Sequence, residues 1–322
     1  MPYGNAINKI RSMTDILTIT LNPALDVLTT IDKVSDTHKM RCGPTLKHPG
    51  GGGVNVARVL HRLGANCVAL YLAGGVTGER HHKLMNTEKV RCHVVHIAEE
   101  TRESFTAHET SSGNDFRFVL PGPNVTATEY EAIFDYVAQH MPKKFLVMSG
   151  GLAPGVPDNF YARLATLAKQ HGVRVVLDAN GQALIEALNV GVYLFKPSLR
   201  ELRDLTGQSL PDEASQLAAA QQLIQAGQAQ IVAVSLGADG AMLIGVDQVW
   251  RASAIQVEVQ TTVGAGDSFL AGMVWSLGQG DPLFKAFQYG MASGAAALQK
   301  PGTSLSQSSE IFRLVPQLIL NS

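Results

Sequence analysis

Residues 145–178 read FLVMSGGLAPGVPDNFYARLATLAKQHGVRVVLD, one full cycle of a pattern that runs through most of the chain. FLVMS (145–149) and VRVVLD (173–178) are short, nearly unbroken apolar runs, as expected of strands buried on both faces. Between them, residues 159–170 carry apolar side chains at three-to-four spacing, the signature of a helix with one buried stripe. Strand, helix, strand in that order makes a parallel pair joined by a crossover. The same alternation extends both ways. ILTITL (16–21), CVALYL (67–72), VYLFK (192–196) and IVAVS (231–235) read as further buried strands, and NVARVLHRL, ATEYEAIFDYVAQH, ELRDL and ASQLAAAQQLIQA as helices. The expected fold is α/β, a doubly wound, mainly parallel sheet flanked by helices.

Two regions break the rhythm. Residues 25–47 and about 91–120 alternate polar and apolar residues, and Gly113-Asn114 is a hairpin signal. No helix-like segment separates the strands of the second region. These are expected to form a small β-lid beside the core, inserted at two points into one domain spanning 14–322. Residues 1–13 have no apolar segment and read as a loose extension rather than a secretory signal.

Bulk properties exclude several classes. A formal charge of −1 gives no electrostatic reason to expect nucleic acid or an anionic membrane as partner. No run approaches the roughly 18 apolar residues of a membrane span. Cys42, Cys67 and Cys92 lie far apart, an odd and sparse set that suits reduced thiols in the cytoplasm.

The chemistry is carried by two glycine-rich stretches. PGGGGVNVARVLHRLG (49–64) is a four-glycine turn feeding an amphipathic helix, suited to close approach of backbone N–H groups to a ligand. The dinucleotide fingerprint fails here, because its last glycine or alanine falls on Asn55 or Val56. No Gly-Lys dipeptide occurs, so there is no P-loop either. TTVGAGDSF (261–269) precedes a helix-like run, which puts Gly264, Ala265, Gly266 and Asp267 at a helix N-terminus. Unpaired N–H groups and the helix dipole favour negative charge there. An aspartate at such a place commonly serves only as a cap. Bare neighbours and a second anion-suited turn upstream favour an anion hole with a base at its lip, as phosphoryl transfer to an alcohol requires.

These residues resemble the ribokinase-like carbohydrate kinases, specifically the phosphofructokinase B branch, from about residue 14 onward. PGGGGVNVAR is similar to the family's first signature and TTVGAGDSFLAGM to its second. LNPALD, HKMRC, SGGLAPG, FKPSLREL and VSLGADGA match in the family's order. The resemblance implies an ATP- and Mg²⁺-dependent sugar-phosphate kinase, with a β-lid that forms the contact of a homodimer. It implies that Asp267 is the catalytic base and that Gly264, Ala265 and Gly266 form the anion hole. Asp26, Gly50, Gly51 and Asn55 would contact sugar hydroxyls, and Lys39 and Arg102 the phosphate already on the substrate. Lys196, Ser198, Ser235, Gly237, Gly240 and Thr262 fall in the nucleotide half, and Glu201 would organise metal-bound water. Without the family, Lys39 and Arg102 read as solvated surface charges.

Three departures from the family pattern stand out. Ser198 replaces the asparagine of Asn-x-x-Glu, Gly151 stands where relatives often carry serine, and Lys300 stands near a monovalent-cation site where many relatives are neutral. If the Lys300 ammonium supplied that fixed charge, activity would barely depend on K⁺. HKMRC together with GGGG most resembles the 6-phosphofructokinases of the branch, because Gly52 offers no ammonium where 1-phosphofructokinases and tagatose-6-phosphate kinases resemble GGKG. A ligand-binding regulator that kept the fold without catalysis is the rival from another class; Asp267, its glycines and Glu201 argue against it.

Overall fold

The computed structural model describes residues 14–36, 38–318 and 320–321. The extension expected at 1–13 lies outside them. In chain order the elements are β1 (Ile16–Thr20), β2 (Ala24–Ile31), β3 (Leu46–Gly50), α1 (Gly52–Arg62), β4 (Cys67–Ala73), α2 (Gly75–Thr87) and β5 (Cys92–His96). Next come β6 (Arg102–Glu109), β7 (Asp115–Val119), α3 (Ala127–Gln139), β8 (Phe145–Ser149), α4 (Phe160–Gln170), β9 (Arg174–Asp178) and α5 (Gly181–Val190). The chain continues through β10 (Val192–Phe195), α6 (Leu199–Thr206), α7 (Glu213–Gln225), β11 (Ala229–Ser235), β12 (Ala241–Ile244) and β13 (Val249–Ala252). It ends with α8 (Ala265–Gln279), α9 (Leu283–Leu298), α10 (Ser308–Leu314) and β14 (Leu320–Asn321).

Ten strands form one sheet in the order β14-β13-β12-β11-β10-β9-β8-β1-β4-β5. From β11 to β5 every pairing is parallel, and the β11–β12–β13–β14 edge is antiparallel. The two-residue period of a strand sends alternate side chains to opposite faces. Leu17, Ile19, Leu146, Met148, Val175 and Leu177 enter the core under α3, α4 and α5. Ile16, Phe145, Val147 and Val176 enter the opposite core under α1, α8 and α9. Both faces of these strands are therefore covered, which is why they are mostly apolar. The expected doubly wound α/β architecture is what the chain adopts.

The second sheet has the order β3-β2-β6-β7. β2 leaves β1 after three residues and pairs parallel with β6, while β3 and β7 lie antiparallel on the outside. The sequence placed 91–97 in this lid, and the structure corrects that. β5 pairs parallel with β4 at the edge of the large sheet, with Ala69 opposite Cys92. Both its faces are partly covered, and Cys92 and Val94 pack against the cluster that includes Met85 of α2. Val95 joins the core under α3, and the ring of His93 stacks on Tyr136 of that helix. Among the described residues no helix is long and apolar enough to cross a membrane.

Candidate active site

The carboxyl ends of β1, β8 and β9 meet where the chain's progress across the sheet reverses, between β1 and its neighbours β4 and β8. Open α/β sheets leave a crevice at such a point. Asn22, Ser149 and Asp178 stand at those strand ends and line a cleft of about 350 Å³. The lid closes one side of it through Asp26, Arg102 and Arg117, and the first turn of α8 closes another through Gly264 and Asp267.

The α8 turn is built from its glycine. Gly264 is the residue before the helix and has φ 79°, a left-handed backbone that favours glycine. A Cβ there would also strike Leu305 Cδ2 at 2.5 Å. Asp267 is then the third helical residue and not the cap. Its Oδ2 accepts a hydrogen bond from Asn55 Nδ2 at 2.9 Å. Asn55 lies in the first turn of α1, and the helix follows Gly51, whose φ is 115°. The glycine run that leads into and opens α1 packs with no room for side chains. A Cβ on Gly50 would lie 2.2 Å from Asp26 Oδ2, and one on Gly52 would lie 2.3 Å from Ser149 Oγ. Asp26 also accepts from Thr303 Oγ1 at 2.9 Å.

A second cavity, of about 410 Å³, opens on the other side of the same turn. Ser235, Gly237, Gly240, Thr262, Ala265 and Gly266 line it, with Val257 and Phe269 adding apolar surface. The Gly264–Asp267 turn is thus shared: Gly264 and Asp267 face the first cleft, Ala265 and Gly266 the second.

Below that turn, Lys196 is buried with its Nζ 3.2 Å from Asp178 Oδ1. Burial works against the ammonium, but the carboxylates of Asp178, Glu201 and Asp267 outweigh it and raise its pKa. Burial, with Asp267 and Glu201 nearby, pushes Asp178 up to about 6. Burial likewise raises the Asp267 carboxyl, against the pull of the Asn55 hydrogen bond and the Lys196 charge. Asp26 is raised for the same first reason, opposed by Thr303, Arg117, Arg58 and Arg102.

Most residues singled out from sequence converge here; Gly50 and Lys196 pack behind the site without lining either cleft, and Lys39, Ser198 and Lys300 take no part in the lining. Lys39 is exposed in the connection between β2 and β3 and lines neither cleft. Ser198 lines neither cleft as well. Its hydroxyl accepts from the N–H of Glu201 at 3.2 Å, while Glu201 Oε2 accepts from Ser198 N at 2.7 Å, a capping box for α6. Glu201 itself lines the first cleft. Lys300 is ion-paired to Glu310 at the start of α10, so its ammonium is already engaged. Gly151, without a side chain, lines the first cleft.

Sequence reading missed Arg117, Ser149 and Asp178. Ser149 and Asp178 end apolar strands, FLVMS and VRVVLD, and a polar residue at the carboxyl end of a buried strand was the available signal. Arg117 had none, since it sits in an alternating strand where a solvated face is ordinary. Within the cleft, Asn22 Oδ1, Ser149 Oγ and Arg102 Nε are shielded from water yet have no hydrogen-bond partner in the protein. Buried polar atoms left in that state call for a ligand or ordered water.

Known proteins resemble this chain over nearly its whole length. The chain is 42% identical over 299 residues to the ATP-dependent 6-phosphofructokinase isozyme 2 of Mycobacterium tuberculosis, covering 92% of this chain and 88% of that protein. Its fold matches the crystal structure of Escherichia coli phosphofructokinase-2 in complex with fructose-6-phosphate, with a TM-score of 0.89 and 33% identity over 95% of this chain and 99% of that one. The same E. coli protein in complex with potassium gives a TM-score of 0.90 at 34% identity, over 95% and 99% of the two chains. Residues 20–310 match the model of the pfkB family carbohydrate kinases, and the chain, a sugar-kinase phosphotransferase, belongs to that family.

Proposed function

We propose that the protein is an ATP-dependent 6-phosphofructokinase, transferring the γ-phosphoryl group of ATP to the 1-hydroxyl of fructose 6-phosphate. The observation that carries this reading is the shared α8 turn, with a polar, arginine-bearing cleft on one side and a glycine-lined, partly apolar cavity on the other. The sugar phosphate occupies the first and the nucleotide the second, so the transferred group crosses at Gly264–Asp267.

Each step then has a residue. Asp267 takes the hydroxyl proton, and its raised pKa brings it closer to the operating pH of a general base. The N–H groups of Ala265, Gly266 and Asp267, in the first turn of α8, have no intrahelical acceptor and receive the charge that develops on the phosphoryl oxygens. Asp26 and the Gly50–Gly51 backbone hold sugar hydroxyls, and Arg102 and Arg117 hold the 6-phosphate. Lys196 places a fixed positive charge below the turn.

Mg²⁺ fits this site as a largely hydrated ion. No group of three or more His, Cys, Asp or Glu arranged to hold a metal is found among the described residues, whereas Glu201 and Asp178 face the cleft. Mg²⁺ characteristically binds one or two carboxylates together with water and substrate phosphate. When bound it supplies neutralisation of phosphate charge.

Gly52 supports fructose 6-phosphate over fructose 1-phosphate and tagatose 6-phosphate, because the run offers no lysine to the sugar phosphate. The reading includes a cytoplasmic homodimer joined through the lid, where Phe118, Val119 and Leu120 are exposed apolar residues in succession. Sedimentation velocity tests the dimer. The function is tested by coupled ADP release with a panel of hexose phosphates. A kcat/KM clearly higher for fructose 1-phosphate or tagatose 6-phosphate would overturn the substrate, and absence of ATP-dependent turnover with all of them would overturn the kinase.

A further inference from the structure

Arg58 is the largest fully buried side chain in the molecule's described residues, 1% exposed, and it lines neither cleft. A guanidinium so placed is costly unless every donor is met, and an apolar residue would serve the helix better. Its donors are met in a particular way. Nε and Nη2 donate to Glu88 Oε1 at 2.9 and 2.6 Å, and Glu88 Oε2 is taken by Arg62 Nη2 at 2.7 Å. Burial works against the Glu88 charge, but the two arginines outweigh it and hold its carboxyl below the usual range. The remaining nitrogen, Nη1, points toward the active site. It donates to the Pro49 carbonyl at 2.9 Å, to Asn55 Oδ1 at 3.2 Å and to the Thr303 carbonyl at 2.9 Å.

Each of those acceptors leads to a cleft residue. Pro49 precedes the glycine run. Thr303 donates its hydroxyl to Asp26. Asn55 stands one turn before Arg58 on the same face of α1, as i,i+3 spacing requires. Because a guanidinium only donates, the amide atom facing it must be the oxygen, which turns Nδ2 to the other side. There it meets Asp267 Oδ2 at 2.9 Å.

We infer that Arg58 is a positioning residue: held by Glu88 outside the cleft, it fixes the Asn55 amide in the orientation that donates to Asp267. The inference rests on the kinase reading above, since it assigns to Asp267 its place in that reaction. Neither Arg58 nor Glu88 lines either cleft.

The test is a double-mutant cycle with kcat and KM measured for both substrates. Arg58→Lys is expected to lower kcat about tenfold while KM for ATP changes less than about twofold. In an Asn55→Ala background the same substitution is expected to cost less than about twofold, because the amide it orients is gone. Additive losses in the double variant, or an unchanged kcat in the single one, would overturn the inference. Should Arg58→Lys fail to fold, Glu88→Gln takes its place: it leaves the guanidinium intact and removes its neutralising anchor. Its expected loss is about threefold or more in kcat, again absorbed by Asn55→Ala, and additivity again overturns the inference. A second readout needs no turnover. The Asn55 side-chain amide protons, identified by NMR through their loss in Asn55→Ala, should exchange with solvent about tenfold faster in Arg58→Lys. Unchanged exchange would sink the positioning role. A wild type without kinase activity would sink the proposed function and leave this inference to the exchange measurement.

Discussion

Asn55 and Asp267 are 212 residues apart in sequence and meet at 2.9 Å, amide to carboxylate, in the lining of the cleft. The contact joins the first turns of α1 and α8, the two helices that the glycine-rich stretches introduce. It favours the ionised carboxyl, while burial favours the neutral one. The balance leaves Asp267 above its ordinary value of 3.8. Asp267→Asn is expected to lower kcat by about 10²–10⁴ with the fold intact, the usual cost of losing a general base. Near-full activity in a folded Asn variant would return Asp267 to a purely structural part of α8. The carboxylate is the active form, so kcat should fall as pH drops through a pKa above the ordinary aspartate range. Asn55→Ala removes the donor that favours ionisation and should move that acid limb to higher pH. A limb that stays or moves lower contradicts the assignment.

The two arginines of the lid should carry the substrate phosphate. Arg102 is anchored by the carbonyls of Leu120 and Asn22 at 3.1 and 3.0 Å, and Arg117 by Ser104 Oγ at 3.4 Å. Removing one charge-assisted contact with phosphate costs about tenfold to a hundredfold in affinity. Arg102→Ala and Arg117→Ala should each raise KM for fructose 6-phosphate by about that factor, with KM for ATP little changed. Lys39, exposed and outside the cleft of this chain, gives a contrast. Lys39→Ala should leave both constants nearly unchanged in the isolated subunit. A rise in KM for the sugar as large as that of Arg117→Ala would place Lys39 at the phosphate.

Gly52 is the position that separates GGGG from GGKG. A Cβ there would lie 2.3 Å from Ser149 Oγ and 2.8 Å from the Ser149 carbonyl carbon. The second of these is backbone and cannot swing aside. Gly52→Lys should therefore destabilise the protein, by about 1–3 kcal/mol as overpacking commonly does, and depress turnover with every hexose phosphate. Denaturant unfolding and the substrate panel read the two effects. A stable variant that now prefers fructose 1-phosphate would show that the strand β8 end yields freely and that this one residue sets specificity.

Lys300 bears on the monovalent cation. Its pairing with Glu310 removes the basis for treating its ammonium as a substitute for K⁺. Lys300→Met should leave the response to K⁺ unchanged, whatever that response is in the wild type. Activity compared in K⁺ and tetramethylammonium salts decides it. A variant that acquires a K⁺ requirement absent from the wild type would restore Lys300 as the fixed charge.

Sequence alone determined the parts of this protein that depend on local pattern. Nearly unbroken apolar runs such as 145–149 and 173–178 read as strands covered on both faces, and the three-to-four spacing between them as a covering helix. Small residues at 264–266 before an acid, and the glycine run at 50–53, announced backbone turns with no room for side chains, because tight approach excludes every other residue type. Position in the sheet was beyond local pattern. β5 mixes polar and apolar residues as a lid strand does, since partial exposure looks the same in a lid and at a sheet edge, and only pairing with β4 tells them apart. Ser198, which the resemblance put in the nucleotide half, caps α6 together with Glu201, because residues three apart at a helix start can satisfy each other locally. Arg117 and the chain of contacts from Glu88 through Arg58 and Asn55 to Asp267 were decided by tertiary structure alone. Their meaning lies in distances between residues far apart in sequence, and a buried charge shows what it does only when its partners are in place.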